Sequence, residues 1–191
     1  MNLREWALPF YTILVQLATG ALLTLWIIRY FAARKYGREQ VDRIIDNSIL
    51  IIFLTIIAGM LGAHFHLSKP YLSFLAIMNL RRSWLSREIL FNVLFFLTTG
   101  GLLYLQFRVH NRWQLKTALG WLAIAFGLAN VYCMARIYLL PTQVAWNTSL
   151  TMLSFMSTAL LLGMMALVSL QIMDLKYSEL RKLPKAQVQA Q

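Results

Sequence analysis

Five long apolar stretches, separated by short polar segments, constrain this chain more than any other feature. A helix needs about 20 apolar residues to cross the hydrocarbon core of a bilayer, which is about 30 Å thick. Of the 191 residues, 59% are hydrophobic and only 13% are charged, and a soluble domain would carry about twice that share of charge. We therefore predict an all-α fold, a polytopic transmembrane helical bundle of about five spans. These spans cover residues 6–31, 48–65, 88–107, 118–140 and 148–173.

The bundle is predicted to occupy residues 1–175, and a polar C-terminal tail follows at 176–191. Between the second and third spans, residues 66–87 are long for a helix connection and only partly polar. Apolar residues recur there at helical spacing, opposite polar ones, which predicts an amphipathic helix lying on the membrane surface. Its apolar side would contain Tyr71, Phe74, Leu75, Met78 and Leu85, and its polar side Asn79, Arg82 and Ser86.

The distribution of charge predicts both the class of partner and the orientation. The formal net charge is +11, but the 18 Lys and Arg cluster in the short segments between apolar stretches. That arrangement is typical of charges that face lipid headgroups, and a nucleic-acid-binding face would need a soluble scaffold.

Twelve of these basic residues fall on one side of the predicted bundle and six on the other. The richer side should be cytoplasmic, which places the N-terminus outside and the C-terminus in the cytoplasm. Arg29 and Arg136 are expected to snorkel to the headgroups.

Few residues of this chain suit a metal or a haem. The three histidines are His64, His66 and His110. The first two lie two residues apart and would point to different sides of a helix, while His110 falls at the opposite membrane face. This spacing argues against a haem held by two histidines, and no zinc-binding spacing occurs. The single cysteine, Cys133, cannot supply the four ligands of an iron–sulfur cluster. We expect no haem, no iron–sulfur cluster and no other metal in this chain.

A set of polar residues at one membrane face points to proton chemistry. His64 and His66 end the second span, Glu88 begins the third, and Arg82 and Arg87 lie between them. A quinol must lose two protons and two electrons when it is oxidised. A carboxylate and an imidazole at the edge of the hydrocarbon can accept those protons and bind the quinol hydroxyls. We therefore take these residues as a candidate quinol site, with Glu88 and His66 at its centre.

Each of these residues also has a purely structural interpretation. Glu88, in the first helical turn after Ser86, would favour the positive end of the helix dipole without any other role. His66 could hydrogen-bond a carbonyl or water, and the arginines could hold lipid headgroups. Asn130, inside the fourth span, is expected to hydrogen-bond across helices rather than to touch a substrate.

Several motifs follow one another in an order that is informative as a whole. Residues 66–70 read His-Leu-Ser-Lys-Pro, and residues 83–89 read Ser-Trp-Leu-Ser-Arg-Glu-Ile. The chain resembles the membrane-anchor subunits of dimethyl sulfoxide reductase-type enzymes, which carry a His-Leu-Gly-x-Pro segment and a Ser-x-Glu-Ile or Ser-Arg-Glu-Ile segment at these places. Residues 5–9, 135–138, 141–142 and 145–147 are similar to further family segments. The chain departs from the family in having Ser68 for the usual glycine, and about five helices rather than about eight.

The resemblance implies a function. In the family the histidine of the first motif and the glutamate of the second are implicated in quinol binding, and they map to His66 and Glu88. It implies an anchor in a prokaryotic inner (cytoplasmic) membrane that oxidises menaquinol to menaquinone. The electrons would pass to an iron–sulfur subunit and from there to a molybdopterin catalytic subunit, so this chain would not be an enzyme alone. The rival interpretations are a passive membrane anchor or assembly protein without quinol chemistry and a small transporter.

Overall fold

A computed structural model describes residues 3–66, 77–109 and 112–182 of the chain. Within these ranges, the side chains of residues 3–5, 43, 65, 66, 77 and 178–182 are not described. Five long α-helices make up nearly all of the described structure. They are α1 (Leu3–Tyr36), α2 (Arg38–His66), α3 (Trp84–Arg108), α4 (Trp113–Tyr138) and α5 (Ser149–Lys182).

The predicted all-α transmembrane bundle is confirmed. Each of the five helices is long and apolar enough to cross a membrane. Their ends differ from the hydropathy limits, because α1 and α2 continue through the charged segment between the first two spans. Only Gly37 separates them, with a φ of 88° in the left-handed region that glycine adopts readily. Helix α5 likewise continues to Lys182, beyond the apolar limit near residue 173.

The segment predicted to be an amphipathic surface helix is described only in part. Its residues 67–76 lie outside the described ranges. The remainder forms a short 3₁₀ helix (Ile77–Asn79) and a turn at residues 80–82, after which α3 begins at Trp84. Leu85 and Ser86, which the periodicity placed on the surface helix, therefore belong to α3.

Helix α1 is the central element of the bundle and packs against α2, α4 and α5. Its contact with α5 is a backbone contact between two glycines. A Cβ atom added to Gly163 would lie only 2.1 Å from the carbonyl carbon of Gly20. Small residues at a crossing allow two membrane helices to approach this closely, so the Gly20–Gly163 contact sets the position of α5.

The contact between α1 and α4 depends on a tryptophan and a third glycine. Trp26 of α1 is buried, and its indole Nε1 donates a hydrogen bond of 3.2 Å to the carbonyl of Thr117. The ring packs against α4 at Gly120, where an added Cβ would come within 2.1 Å of it. Helix α3 packs against α4 on its other side, which completes the bundle around an apolar middle.

Buried polar residues lie at both ends of the bundle. At one end, which we call the Asp42 end, Arg29 forms an ion pair with Asp42 at 3.1 Å. Lys116 of α4 approaches the other oxygen of the same carboxylate at 3.3 Å. The snorkelling predicted for Arg29 is wrong, because its side chain is only 2% exposed and also donates to the Thr117 hydroxyl at 2.8 Å. The opposite end carries Glu88, and we call it the Glu88 end.

Candidate functional site

Glu88 lies deeper in its helix than the sequence suggested. Helix α3 begins at Trp84, and Ser83 caps it by accepting a hydrogen bond from the backbone N–H of Ser86. Glu88 therefore belongs to the second turn, and no acidic residue occupies the first. The interpretation of Glu88 as a helix-dipole residue is wrong on this geometry, because the dipole acts within the first turn. Its side chain points into the bundle, and the residue is only 6% exposed.

The carboxyl group of Glu88 interacts with a polar side chain of another helix, which in turn contacts a second one. The hydroxyl of Tyr11, on α1, lies close enough to the Glu88 carboxyl to interact with it as a hydrogen-bonding partner. The same hydroxyl interacts with the side-chain amide of Asn130, on α4. All three residues are buried. Three helices thus each contribute one polar group to a single site in the Glu88 end.

Asn130 also links this site to a second buried amide. Its Nδ2 lies 3.4 Å from the Oδ1 of Asn92, one helical turn below Glu88 on α3. The expectation that Asn130 hydrogen-bonds across helices is confirmed. Its Oδ1 is buried and makes no hydrogen bond within the described part of the chain. The amide is therefore satisfied as a donor and unsatisfied as an acceptor, which is uncommon for a buried group.

Positive charge is arranged around Trp84 rather than on Glu88. The Arg87 guanidinium stacks on the Trp84 ring at 4.2 Å and donates to the carbonyls of Leu80 and Arg81 at 2.8 and 2.9 Å. Arg136 of α4 lies against the same ring at 4.8 Å, and its buried Nε has no hydrogen-bond partner among the described residues. No ion pair to Glu88 occurs within the ranges that the structure describes. Among the described residues, the polar partner of the carboxyl is thus the Tyr11 hydroxyl rather than a cation.

The other predicted site residues occupy different positions at the same end. His64 is exposed, and its Nδ1 lies 2.9 Å from the carbonyl oxygen of Met60 in its own helix. Arg82 is exposed in the turn before α3. His66 is the last residue of α2, and its side chain is not among those that the structure describes. The proximity of His66 to Glu88 therefore stays a prediction.

Sequence reasoning missed Tyr11 as a site residue. It stands in a strongly apolar stretch, and nothing in its immediate neighbours distinguishes it from a tyrosine at a membrane interface. Cys133 and Tyr138 of α4 were also not linked to the site, although both lie near Glu88. The one available signal was spacing, since residues 130, 133 and 134 share a face of α4 and are buried.

Comparison with known proteins identifies the family. The family model of the DMSO reductase anchor subunit (DmsC) matches residues 1–189. The chain belongs to this family. The resemblance drawn from the motifs is thereby confirmed, and the protein is a membrane-anchor subunit of the DMSO reductase type.

Three curated relatives are similar over most of this chain. The anaerobic dimethyl sulfoxide reductase chain YnfH of Escherichia coli K12 is 31% identical over 163 residues, or 83% of this chain and 55% of the relative. A chain of the anaerobic dimethyl sulfoxide reductase of Haemophilus influenzae Rd is 27% identical, over 85% of this chain and 57% of its own length. A subunit of the sulfite dehydrogenase of Allochromatium vinosum is 27% identical, over 77% and 49%. The chain spans about half the length of these relatives. No solved structure matches it.

Proposed function

We propose that this anchor subunit binds and oxidises menaquinol at the Glu88 end of the bundle. The observation that carries the proposal is the buried carboxyl of Glu88, which the Tyr11 hydroxyl supports and no described cation neutralises. Such a carboxyl can accept a proton from a quinol hydroxyl, which is general-base catalysis. His66, at the end of α2, is proposed as the hydrogen-bond partner of the second quinol oxygen.

The balance of the reaction requires a second protein. A quinol releases two electrons and two protons as it becomes a quinone. Glu88 and His66 would accept the protons and pass them to water at the Glu88 end. We propose that the electrons pass to an iron–sulfur cluster of a partner subunit, and from there to a molybdopterin catalytic subunit. The family and the oxidoreductase names of the relatives support this assignment.

The exposed residues before α3 form a suitable surface for that partner. Arg81 and Arg82 are exposed, and Met78 beside them is 82% exposed. Two positive charges next to an apolar side chain would attract and then hold an acidic partner surface. We propose that the iron–sulfur subunit docks here, a short distance from Glu88. Reversing both charges (R81E/R82E) should prevent assembly of the complex, whereas K176E, at an exposed lysine of α5, should not.

Replacing Glu88 by Gln tests the quinol site. Glutamine keeps the size and the hydrogen-bonding oxygen but cannot accept a proton, so quinol-driven turnover should fall at least about tenfold. Reduction of the terminal substrate by a soluble artificial donor, which bypasses the anchor, should not change. Glu39→Gln, at an exposed position near the start of α2, is the matched control and should leave both activities unchanged. If E88Q oxidises quinol as fast as the parent complex, the passive-anchor interpretation is correct.

The relative named as a sulfite dehydrogenase subunit favours a second candidate, in which electrons flow from the partner to a quinone. The same site would then donate protons to the quinone instead of accepting them. The two directions are distinguished by the redox state of the quinone pool in membranes that contain the assembled complex. Addition of the terminal substrate should oxidise the pool if the chain oxidises menaquinol, and should reduce it in the reverse case.

We propose that the Glu88 end faces away from the cytoplasm, as the charge distribution predicts. Single cysteines test this orientation, because the native Cys133 is buried and contributes little labelling of its own. Asn79 is exposed at the Glu88 end and Gln114 is exposed at the Asp42 end. A membrane-impermeant maleimide should label N79C in intact cells but label Q114C only after permeabilisation. The opposite pattern would reverse the orientation and leave the quinol site unaffected.

A further inference from the structure

We infer that Tyr11 and Asn130 are positioning residues for Glu88: the two side chains fix the orientation of the carboxyl that takes the proton. This inference rests on the proposed quinol oxidation, and it adds residues that neither the motifs nor the family name point to. The juxtaposition that carries it is a series of buried polar groups across three helices, running from Asn92 and Asn130 through Tyr11 to Glu88.

The direction of hydrogen bonding in this series can be assigned from its chemistry. An ionised carboxylate only accepts, so the Tyr11 hydroxyl must donate to Glu88. The hydroxyl oxygen can then accept from the side-chain amide of Asn130. The second N–H of that amide points to the Asn92 oxygen at 3.4 Å. One Asn130 N–H and the Tyr11 O–H are thus directed toward Glu88, and the first polarises the second.

The burial of these residues argues that the series serves more than packing. Tyr11 is 5% exposed and Asn130 is completely buried, beside an apolar cluster that includes Val15 and Met134. An apolar residue at either position would fill the space without the cost of burying a polar group. The buried Oδ1 of Asn130 meets no hydrogen-bond partner in the described part of the chain. This orientation of the amide therefore costs folding stability instead of adding to it. Its arrangement favours donation toward Tyr11.

The consequence for proton transfer concerns the free oxygen of the carboxyl. On this inference the Tyr11 hydroxyl donates to one oxygen of Glu88, which would leave the other for a quinol hydroxyl. Without the tyrosine donor, the carboxyl could rotate about its last side-chain bond and present either oxygen, or neither. Orientation of a reacting group affects the chemical step more than binding, so Tyr11 should act on kcat and not on KM.

Tyr11→Phe in the assembled complex tests the inference. We expect kcat for quinol oxidation to fall about tenfold while KM stays within about twofold, as for the loss of one hydrogen bond to a charged group. Tyr104→Phe is the matched control, because Tyr104 lies on the same helix as Glu88 but is 63% exposed, and it should change neither constant. The Y11F/E88Q double variant should be no slower than E88Q alone, since Tyr11 acts only through Glu88.

An infrared measurement on the purified anchor separates this inference from the proposed function. The C=O stretching band of a protonated carboxyl that disappears in E88Q belongs to Glu88. Tyr11→Phe should move that band to higher wavenumber, because a hydrogen bond to the carbonyl oxygen is lost, and Y104F should not move it. Asn130→Ser should move it in the same direction by less.

If E88Q oxidises quinol normally, the quinol site is refuted whatever the infrared result. If E88Q is inactive but Y11F leaves both kcat and the band unchanged, or is equally harmful in the E88Q background, the positioning role is refuted.

Discussion

Replacing Asp42 by Asn should destabilise the bundle more than any other single change of charge at that end. The Asp42 carboxylate accepts from the Nε and Nη2 of Arg29 at 3.2 and 3.1 Å and from the Nζ of Lys116 at 3.3 Å. Its backbone carbonyl accepts from Gln106 at 2.9 Å. One residue of α2 thereby connects α1, α3 and α4. Asparagine would keep the shape but leave two cations without a counter-charge.

The size of this effect follows from the burial of the partners. Removing one member of a buried ion pair costs about 3–5 kcal/mol, because the remaining charge is left in a medium of low dielectric constant. The side chains of Arg29 and Lys116 are only 2% and 4% exposed, so both would be left buried and would repel each other. The Asp42 side chain is 18% exposed, and access of water reduces the loss. We expect about 3 kcal/mol, or roughly a hundredfold in the unfolding equilibrium constant.

Unfolding in mixed detergent micelles, followed by tryptophan fluorescence, measures this change directly. Trp26 and Trp113 both face the Arg29 guanidinium, with ring centroids at 4.7 and 3.4 Å, so their emission reports on the cluster. Asp174→Asn is the control with the same change of charge, because Asp174 accepts a 2.9 Å hydrogen bond from an exposed asparagine on α2. It should cost less than about 1 kcal/mol. A D42N variant as stable as D174N would refute the reasoning.

Replacing individual glycines by alanine should distinguish backbone contacts from side-chain contacts between helices in the same unfolding assay. Gly163→Ala places a Cβ 2.1 Å from a backbone carbon of Gly20, which cannot move alone, so α5 should detach partly and become sensitive to protease. Gly120→Ala drives a Cβ to 2.1 Å from the buried Trp26 ring and should cost about 1–3 kcal/mol, with a change in tryptophan emission. Gly101→Ala meets only a side-chain carbon at 3.4 Å and should be neutral or stabilising by up to about 1 kcal/mol. Equal effects for G120A and G101A would contradict the packing described here.

The five spans could be predicted from the sequence because hydropathy is a local property. Every stretch of about 20 apolar residues became a helix, and each helix then extended into polar sequence on one side or both. The extension was not predictable, since a helix in water or at headgroup level needs no apolar residues. The junction at Gly37 shows this most clearly, because charged residues before and after it are helical.

The candidate site could be predicted only in part. Glu88 was identifiable because an acidic residue at the edge of an apolar span is rare in itself. Its partners were not, because Tyr11 and Asn130 come from distant parts of the sequence and meet Glu88 only through helix packing. The prediction that Arg29 snorkels to the headgroups was wrong for the same reason. Its position near a span end suggested snorkelling, but the anionic partner lies on another helix.

The Asp42 and Glu88 carboxylates, one at each end of the bundle, differ in the hydrogen-bonding capacity that they have left. A carboxylate can accept about four hydrogen bonds. At Asp42, both oxygens already hold cations from two helices, so the group serves to join the helices. At Glu88, the described part of the chain supplies the Tyr11 hydroxyl and no ion pair, so most of that capacity is open. A membrane protein that only needed to hold its helices together would have little reason to bury Glu88 in this way, because an unpaired acid inside a span costs stability. Under the proposed function, binding of a proton-donating ligand at the Glu88 end would account for that cost, whereas ion pairing at the Asp42 end holds the helices together.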